Sequence, residues 1–196
     1  MTSEVATQSP AGAGVEKAVV AALGQRSLVL VGMMGAGKSS VGRRLAMRLS
    51  IPFVDADTEI ETAAAMSIPE IFAKHGELEF RKGEAKVIAR LLDQGPQVLA
   101  TGGGAVMDAS TRALIHAKAI SIWLKADLDV LMRRTKRRND RPLVEQITML
   151  LPEREPFYAQ ADITVQSRDE PHDLIVNEII AELPPCLARR GMEKKQ

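Results

Sequence analysis

The sequence predicts an α/β fold in which one parallel β-sheet lies between two layers of helices. Short apolar runs alternate with stretches of helical periodicity along most of the chain, and this alternation is typical of a parallel sheet. A glycine-rich motif for binding phosphate directly follows the first apolar run, where such a loop joins a strand to a helix. Ligands in folds of this class bind beyond the carboxyl ends of the strands, so the functional site is expected there.

The apolar runs predict five strands, over residues 27–32, 52–57, 97–102, 119–126 and 163–166. Residues 58–95, between the second and third strands, form a segment about twice as long as an ordinary crossover needs. This length predicts a small group of inserted helices. Capping-box spacing marks two helix starts in the segment, at Thr58 with Glu61 and at Ser67 with Glu70, and Gly76 is expected to break the helical pattern.

Length and composition indicate one domain, expected over residues 26–183 of a 196-residue chain. No apolar run approaches the roughly 20 residues that a membrane helix requires. A net charge of +1 and an aromatic content of 3% argue against a nucleic-acid partner. The single cysteine, Cys186, cannot form an internal disulfide, so we expect a reducing cytoplasmic location and an incidental thiol.

The two ends of the chain are expected to lie outside the domain. Residues 1–14 are small and polar, which predicts a disordered tail without a secretory signal. Residues 15–25 have helical spacing and predict a peripheral helix that Gly24 ends. Residues 184–196 are predicted to form a peripheral C-terminal tail.

The motif at residues 32–39 reads GMMGAGKS and fits the spacing G-x-x-x-x-G-K-[ST]. Its glycines allow a tight backbone curl whose N–H groups point inward and bind an anion. Lys38 can reach the β- and γ-phosphates, and the Ser39 hydroxyl can bind Mg²⁺. The predicted helix that follows turns its positive N-terminus toward the phosphates. The motif therefore predicts binding of a nucleoside triphosphate.

Two further strand ends carry residues that suit a ligand. The second strand ends in FVDAD, where Asp55 matches the acid that helps to hold Mg²⁺ in proteins with such a loop. If the strand continues, Asp57 points to the same side as Asp55; the alternative is a solvated turn in which Asp57 or Thr58 caps the next helix. The third strand ends in TGGGAV, and glycines 102–104 leave backbone N–H groups open to a substrate.

Six basic residues fall within positions 133–141, after the fourth predicted strand. A solvated helix face and a nucleic-acid patch are two interpretations of this segment. The favoured one is a mobile lid over residues 133–148, whose arginines cover the triphosphate. The histidines His75, His116 and His172 show no metal or triad spacing, and we expect each to have a structural role or none.

With these residues assembled, the chain resembles the shikimate kinases from about residue 27 to about residue 180. The resemblance rests on six motifs in order, namely GMMGAGKS, FVDADTEIE, EIFAKHGELEFRKGE, TGGGAV, RPLV and REPFYAQAD. It implies a P-loop kinase fold with strand order 2-3-1-4-5, inserted helices that bind shikimate, and a lid. It also implies transfer of phosphate from ATP to the 3-hydroxyl of shikimate by a monomer that uses Mg²⁺.

The same resemblance implies a role for each residue at a matching position. Asp57 would accept hydrogen bonds from the shikimate hydroxyls, Arg81 and Arg154 would grip its carboxylate, and Gly103 and Gly104 would border its ring. Lys38, Asp57 and Arg141 would be the catalytic residues, with Arg141 reaching over the phosphoryl group and Ser39 and Asp55 serving the metal. The residues implied to bind ATP are Gly35, Ala36, Gly37, Lys38, Ser39, Ser40, Arg141 and Arg134, the last stacking near adenine.

Three other functions stay open at the level of sequence. Another small-molecule kinase, acting on gluconate or a nucleoside monophosphate, would share the phosphate loop. A GTPase-like switch would need a guanine motif of the N-K-x-D or T-K-x-D kind, which TKRR at 135–138 does not supply. A nucleic-acid-binding ATPase could use the basic segment, but the charge and aromatic content weaken that interpretation.

Overall fold

The computed structural model describes the backbone of residues 10–136 and 141–193 and the side chains of residues 14–135 and 147–192. Within these residues five strands form one parallel sheet of order β2-β3-β1-β4-β5, as predicted. The strands are β1 (Ser27–Val31), β2 (Phe53–Asp55), β3 (Val98–Ala100), β4 (Ala119–Lys125) and β5 (Ile163–Gln166). Each strand begins within one residue of its predicted start.

Helices surround the sheet, and the described chain begins and ends with a helix. They are α1 (Pro10–Leu23), α2 (Lys38–Leu49), α3 (Ala56–Ala64), α4 (Ile68–Leu92), α5 (Ala109–Lys118), α6 (Leu128–Lys136), α7 (Arg141–Tyr158) and α8 (His172–Glu193), with a 3₁₀ turn at Ala105–Met107. None of the helices in the described part of the chain combines the length and the apolar character needed to cross a membrane.

The central strand β1 shows why the sheet could be recognised from the sequence. All five of its residues are buried, because β3 and β4 flank it and helices cover both faces. A strand buried on both faces has no side that faces solvent, so its residues are nearly all apolar, and in β1 every residue after Ser27 is apolar. The register pairs Leu28 with Val98 on one side and with Ile120 on the other.

The direction of the crossovers explains where a ligand can enter. From β1 the chain moves through α2 toward the β2 edge, whereas from β3 it moves through α5 toward the β5 edge. Because such crossovers are right-handed, α2 and α5 lie on opposite faces of the sheet. At the carboxyl ends of β1 and β3, the loops that follow these two strands therefore turn to opposite faces of the sheet and leave a crevice between them.

The insertion between β2 and β3 has a small core of its own, formed by Ile60, Ile71 and Phe80. Its second helix starts at the predicted capping box, where the Glu70 carboxylate accepts a hydrogen bond from the Ser67 N–H at 2.8 Å. Gly76, with φ 78° and ψ 171°, bends α4 as expected. The other predicted start, at Thr58, is wrong: α3 begins at Ala56, because the Asp55 side chain caps it.

The N-terminal helix begins at Pro10, earlier than the sequence predicts, and packs on α2 and α8. Val19 and Leu23 are almost completely buried in the main core. Glu16 forms an ion pair with Arg48 of α2 at 2.6 Å, and its side chain is only 10% exposed. These contacts make α1 part of the domain.

The prediction of a peripheral tail after residue 183 is wrong for the described residues, because α8 continues through Pro184 and Pro185. Cys186 and Leu187 are buried in the main core, and the Arg190 guanidinium pairs with Asp162 at 3.2 Å where both side chains are under a tenth exposed. Two prolines suggest a helix end, since each removes a backbone donor. The apolar spacing nevertheless continues beyond them, and burial of the following turn outweighs that loss.

Candidate active site

The loop between β1 and α2 requires glycine at two of its positions for different reasons. Gly32 has φ 135°, and a side chain there would place Cβ 2.7 Å from the Leu124 carbonyl oxygen of β4. Gly37 has φ 94° and precedes the first residue of α2. Only glycine adopts these conformations readily, so the sequence fixes a curled loop whose amides meet at the helix N-terminus. Such a loop forms a binding site for phosphate.

Lys38 bends back over this loop. Its ammonium donates to the carbonyl oxygens of Gly32 at 2.8 Å and Met33 at 3.0 Å. Burial lowers the pKa of Lys38 to about 8, although Asp57 and Asp55 oppose this shift. A phosphate group at the loop would favour the charged form and could draw the ammonium away from the two carbonyls.

Ser39 and Asp55 place side-chain oxygen atoms next to each other beside the loop. The Ser39 hydroxyl donates to Asp55 Oδ2 at 2.8 Å, and Asp55 Oδ1 accepts from the Asp57 N–H at 3.2 Å. Within the described residues no three His, Cys, Asp or Glu side chains cluster as a metal site. A hydroxyl and one carboxylate suit Mg²⁺, which takes its remaining ligands from water and from the phosphates of a nucleotide.

One interpretation of the sequence placed Asp57 in a continuation of the second strand. In the structure Asp57 lies instead in the first turn of α3. Its carboxylate still faces the crevice, because a Cβ added to Gly102 would lie 2.9 Å from Asp57 Oδ1. Burial and the neighbouring Asp55 raise the pKa of Asp57, whereas Lys38 and Arg81 lower it. The carboxylate is therefore held between the phosphate loop and the inserted helices.

The glycine run after β3 lies where three charged side chains approach the backbone. A Cβ on Gly104 would come within 2.5 Å of the Arg81 guanidinium, and a Cβ on Gly103 would lie 3.4 Å from Arg154 Nη1. Together with the contact between Gly102 and Asp57, these distances bring Arg81, Arg154 and Asp57 to one short segment. Because glycine has no side chain, these three charged groups can come this close to the backbone.

Glu84 holds Arg81 in this position. Its Oε2 accepts from Arg81 Nη1 at 2.7 Å, while the exposed Glu77 makes a longer contact with Arg81 at 3.2 Å. The Glu84 side chain is 3% exposed, and its other oxygen, Oε1, has no hydrogen-bond partner among the described residues. Desolvation raises the pKa of Glu84, and the Arg81 hydrogen bond opposes this effect. The buried carboxylate thus fixes an arginine that is itself only partly covered.

Tyr158 supports the same segment from the opposite side. Its hydroxyl donates to the Gly103 carbonyl oxygen at 2.5 Å, and the ring is buried against Trp123. Burial raises the pKa of Tyr158, so the hydroxyl stays a donor. Arg154 lies one helical turn earlier on α7 and also interacts with this hydroxyl. Tyr158 therefore ties the glycine segment to the helix that carries Arg154.

Comparison with known proteins identifies the family. A model of the shikimate kinase family matches residues 34–184. The chain belongs to the shikimate kinase family. Shikimate kinase from Bradyrhizobium diazoefficiens is 64% identical over 89% of this chain and 87% of its own, and that from Nitrobacter winogradskyi is 60% identical over 99% and 94%. The structure of Acinetobacter baumannii shikimate kinase in complex with shikimate matches with a TM-score of 0.77, at 35% identity over 84% of this chain and 94% of that one.

Membership of the shikimate kinase family decides between functional classes that the sequence left open. The protein is an enzyme of the kinase class, as the family model and the curated relatives show. The residues that the resemblance assigned to the acceptor, Asp57, Arg81, Gly103, Gly104 and Arg154, lie together at the carboxyl end of β3. Lys38, Ser39 and Asp55 lie beside them at the phosphate loop.

Arg134 contacts the outer side of the phosphate loop. It donates to the carbonyl oxygens of Gly35 and Ala36 at 3.4 Å, to Ser167 Oγ at 3.0 Å and to the Arg168 carbonyl oxygen at 2.5 Å. Its stacking near adenine stays a prediction. The predicted lid, 133–148, falls partly on residues 137–140, which lie outside the described residues. The side chain of Arg141, at the start of α7, also lies outside them.

Three residues near the site were not singled out from the sequence. Glu84 and Tyr158 each follow a predicted arginine at helical spacing, three residues after Arg81 and four after Arg154. That spacing was a usable signal, since such pairs share one face of a helix. His172, which lies against Gly37, has no local signal, because β5 and the following loop bring it there from the far end of the chain.

Proposed function

We propose that this enzyme transfers the γ-phosphoryl group of ATP to the 3-hydroxyl of shikimate, giving shikimate 3-phosphate and ADP. One observation carries the assignment: two arginines and one aspartate converge on the glycine segment 102–104 beside a phosphate loop. Two arginines suit a planar carboxylate, because each presents a rigid fork of donors. An ionised aspartate only accepts hydrogen bonds and so suits a polyol, whose hydroxyls can all donate.

The nucleotide would be held by the loop amides of residues 35–40 and by Lys38. In the free protein the Lys38 ammonium is bonded to two loop carbonyls, so it can turn to the phosphates with little movement of the backbone. Ser39 and Asp55 would hold Mg²⁺, which when bound neutralises charge on the β- and γ-phosphates. Their 2.8 Å contact and oxygen chemistry support this assignment.

The acceptor would be oriented by its carboxylate on one side and its hydroxyls on the other. Arg81 and Arg154 pair with the carboxylate, and Asp57 accepts a hydrogen bond from the 3-hydroxyl. As that oxygen forms its bond to the γ-phosphorus, the bond from phosphorus to the bridging oxygen of ADP breaks. The hydroxyl proton passes to Asp57 or to water. Arg141 would cover the transferring group, and Arg134 would lie near adenine.

A coupled ADP-release assay with shikimate, gluconate and the nucleoside monophosphates tests the acceptor. We expect turnover with shikimate alone, since gluconate is flexible and a nucleotide carries no carboxylate for the arginine pair. Comparable turnover with gluconate or a monophosphate would assign a different small-molecule kinase activity. We also propose that the enzyme is monomeric and cytoplasmic. Light scattering at assay concentration tests the first point, and fractionation of the cells tests the second.

A further inference from the structure

His172 lies against the phosphate loop rather than on an outer surface of α8. A Cβ added to Gly37 would lie 3.4 Å from His172 Nε2 and 3.7 Å from its Cδ2. The same point is 3.6 Å from Arg134 Nη1. The imidazole and the guanidinium therefore flank the last glycine of the loop, immediately before the N-terminus of α2.

The surroundings of this imidazole are mostly cationic. Burial lowers the pKa of His172, and Arg44 of α2 and Arg134 of α6 lower it further. Asp173, the next residue on α8, opposes the shift, but it is 70% exposed and also faces Arg44 at 3.8 Å. Among the described residues none forms a hydrogen bond with the ring. A polar ring with no hydrogen-bond partner among the described residues thus lies beside Gly37 of an anion-binding loop, under the influence of two arginines.

We propose that His172 is a nucleotide-binding residue whose imidazolium donates a hydrogen bond to the phosphate chain of the bound nucleotide. The inference rests on the proposed function only in requiring that ATP and ADP bind at residues 32–39. In the free protein the two arginines disfavour a third positive charge at this point. A bound polyphosphate reverses the sign of the local field, so the same position then favours the charged ring.

The consequence is that nucleotide binding is linked to uptake of one proton. The free protein has the lower His172 pKa and the complex has the higher one. Between these two values the complex carries a proton that the free protein lacks, so ADP binds more tightly as the pH falls. This gain levels off below the pKa of the free protein, where both states are charged. Each unit of difference between the two values corresponds to about a tenfold change in affinity.

Calorimetric titration with ADP at about pH 5.5 and about pH 7.5, the range in which histidine titrates, tests the proposal. The proteins compared are the wild type, His172→Gln, and the control His75→Gln, whose histidine is exposed on α4. The terminal phosphate of ADP also titrates in this range, but it contributes equally to all three proteins. We expect the gain in affinity at low pH to be about 3- to 30-fold larger in the wild type and in His75→Gln than in His172→Gln. Equal pH dependence in all three proteins would overturn the proposal.

An NMR titration of the histidine resonances, with and without saturating ADP, gives a second measurement that does not depend on a variant. The pKa of His172 should rise when ADP binds. An unchanged His172 pKa would contradict the inference even if the variant bound ADP weakly for another reason. Absence of ADP binding in every protein would instead contradict the nucleotide site itself, so the two failures can be told apart.

Discussion

Replacement of Glu84 by glutamine separates the positioning of the acceptor arginine from the stability of the fold. Glu84 is buried, and its carboxylate forms the shorter of the two acidic contacts to Arg81, at 2.7 Å. The same helix offers a matched control, because Glu79 and Lys82 have the same sequence separation and the same 2.7 Å distance. That pair is more than half exposed, whereas the Glu84 side chain is 3% exposed.

The size of the effect follows from these contacts. A hydrogen bond to a charged partner contributes about 1.5–3 kcal/mol, and Arg81 keeps its exposed contact with Glu77, so the lower half of that range applies. A loss of about 1.5–2 kcal/mol in the free energy of shikimate binding corresponds to a rise of roughly 10- to 30-fold in the KM for shikimate. The free energy of unfolding should fall by less, about 1 kcal/mol, because the variant also removes a charge whose burial is unfavourable.

The assay is steady-state ADP release at saturating ATP, with unfolding in urea measured on the same samples. Glu84→Gln should raise the KM for shikimate and leave kcat within a few-fold of the wild type, since the contact proposed for Arg81 is with the carboxylate of shikimate and not with the transferring group. Glu79→Gln should change both constants by less than about twofold. Equal KM values in the two variants would refute the reasoning, and so would a fall in kcat alone.

Four more outcomes can be measured with the same assays. Lys38→Ala should nearly abolish turnover in a folded protein, and wild-type activity would contradict its role at the phosphates. Because the pKa of Lys38 is about 8 in the free protein and a bound phosphate favours its charged form, the affinity for ADP should fall as the pH rises beyond about 8; titration from neutral to alkaline pH tests this. Deletion of residues 1–14 should leave stability nearly unchanged, whereas deletion of residues 1–24 removes the two buried apolar side chains of α1, Val19 and Leu23, and should cost about 3–6 kcal/mol of unfolding free energy in urea. Asp57→Asn should lower kcat even at saturating shikimate, whereas Arg154→Ala should mainly raise the KM for shikimate. The reverse pattern would contradict the proposal that Asp57 orients the attacking hydroxyl and that Arg154 binds the carboxylate.

The strands and the phosphate loop could be predicted because the physical constraints on them are local. A strand buried on both faces must be apolar along its whole length, and β1 and β4 satisfy this condition at nearly every residue. The loop demands glycine at Gly32 and Gly37 whatever the rest of the chain does, because of their backbone conformations. Asp55 could be found in the same way, as the first acidic residue after an apolar run.

Other features depend on contacts between distant parts of the chain and could not be read locally. Two consecutive prolines are ordinarily a reason to end a helix, yet α8 continues because Leu187 has a core to enter. Asp57 faces the crevice from a helix rather than from a strand, since the Asp55 carboxylate caps the helix at that point. The spacing of Tyr158 from Arg154 indicates a shared helix face, but it does not reveal the contact of Tyr158 with the Gly103 carbonyl across a separation of 55 residues.

The distribution of charge at the site shows why a net charge of +1 carries little information about the substrate. Lys38 and Arg134 both bond carbonyl oxygens of the phosphate loop, so in the free protein these cations are held by backbone dipoles. Arg81 is held instead by the carboxylate of Glu84. Each positive group is therefore positioned before any anion binds, and little reorganisation is needed when a phosphate or a carboxylate arrives. Glu84, the acid that holds Arg81 in place, cancels the charge of that arginine in the total, so the net charge of the chain does not reveal the cations that lie at the site.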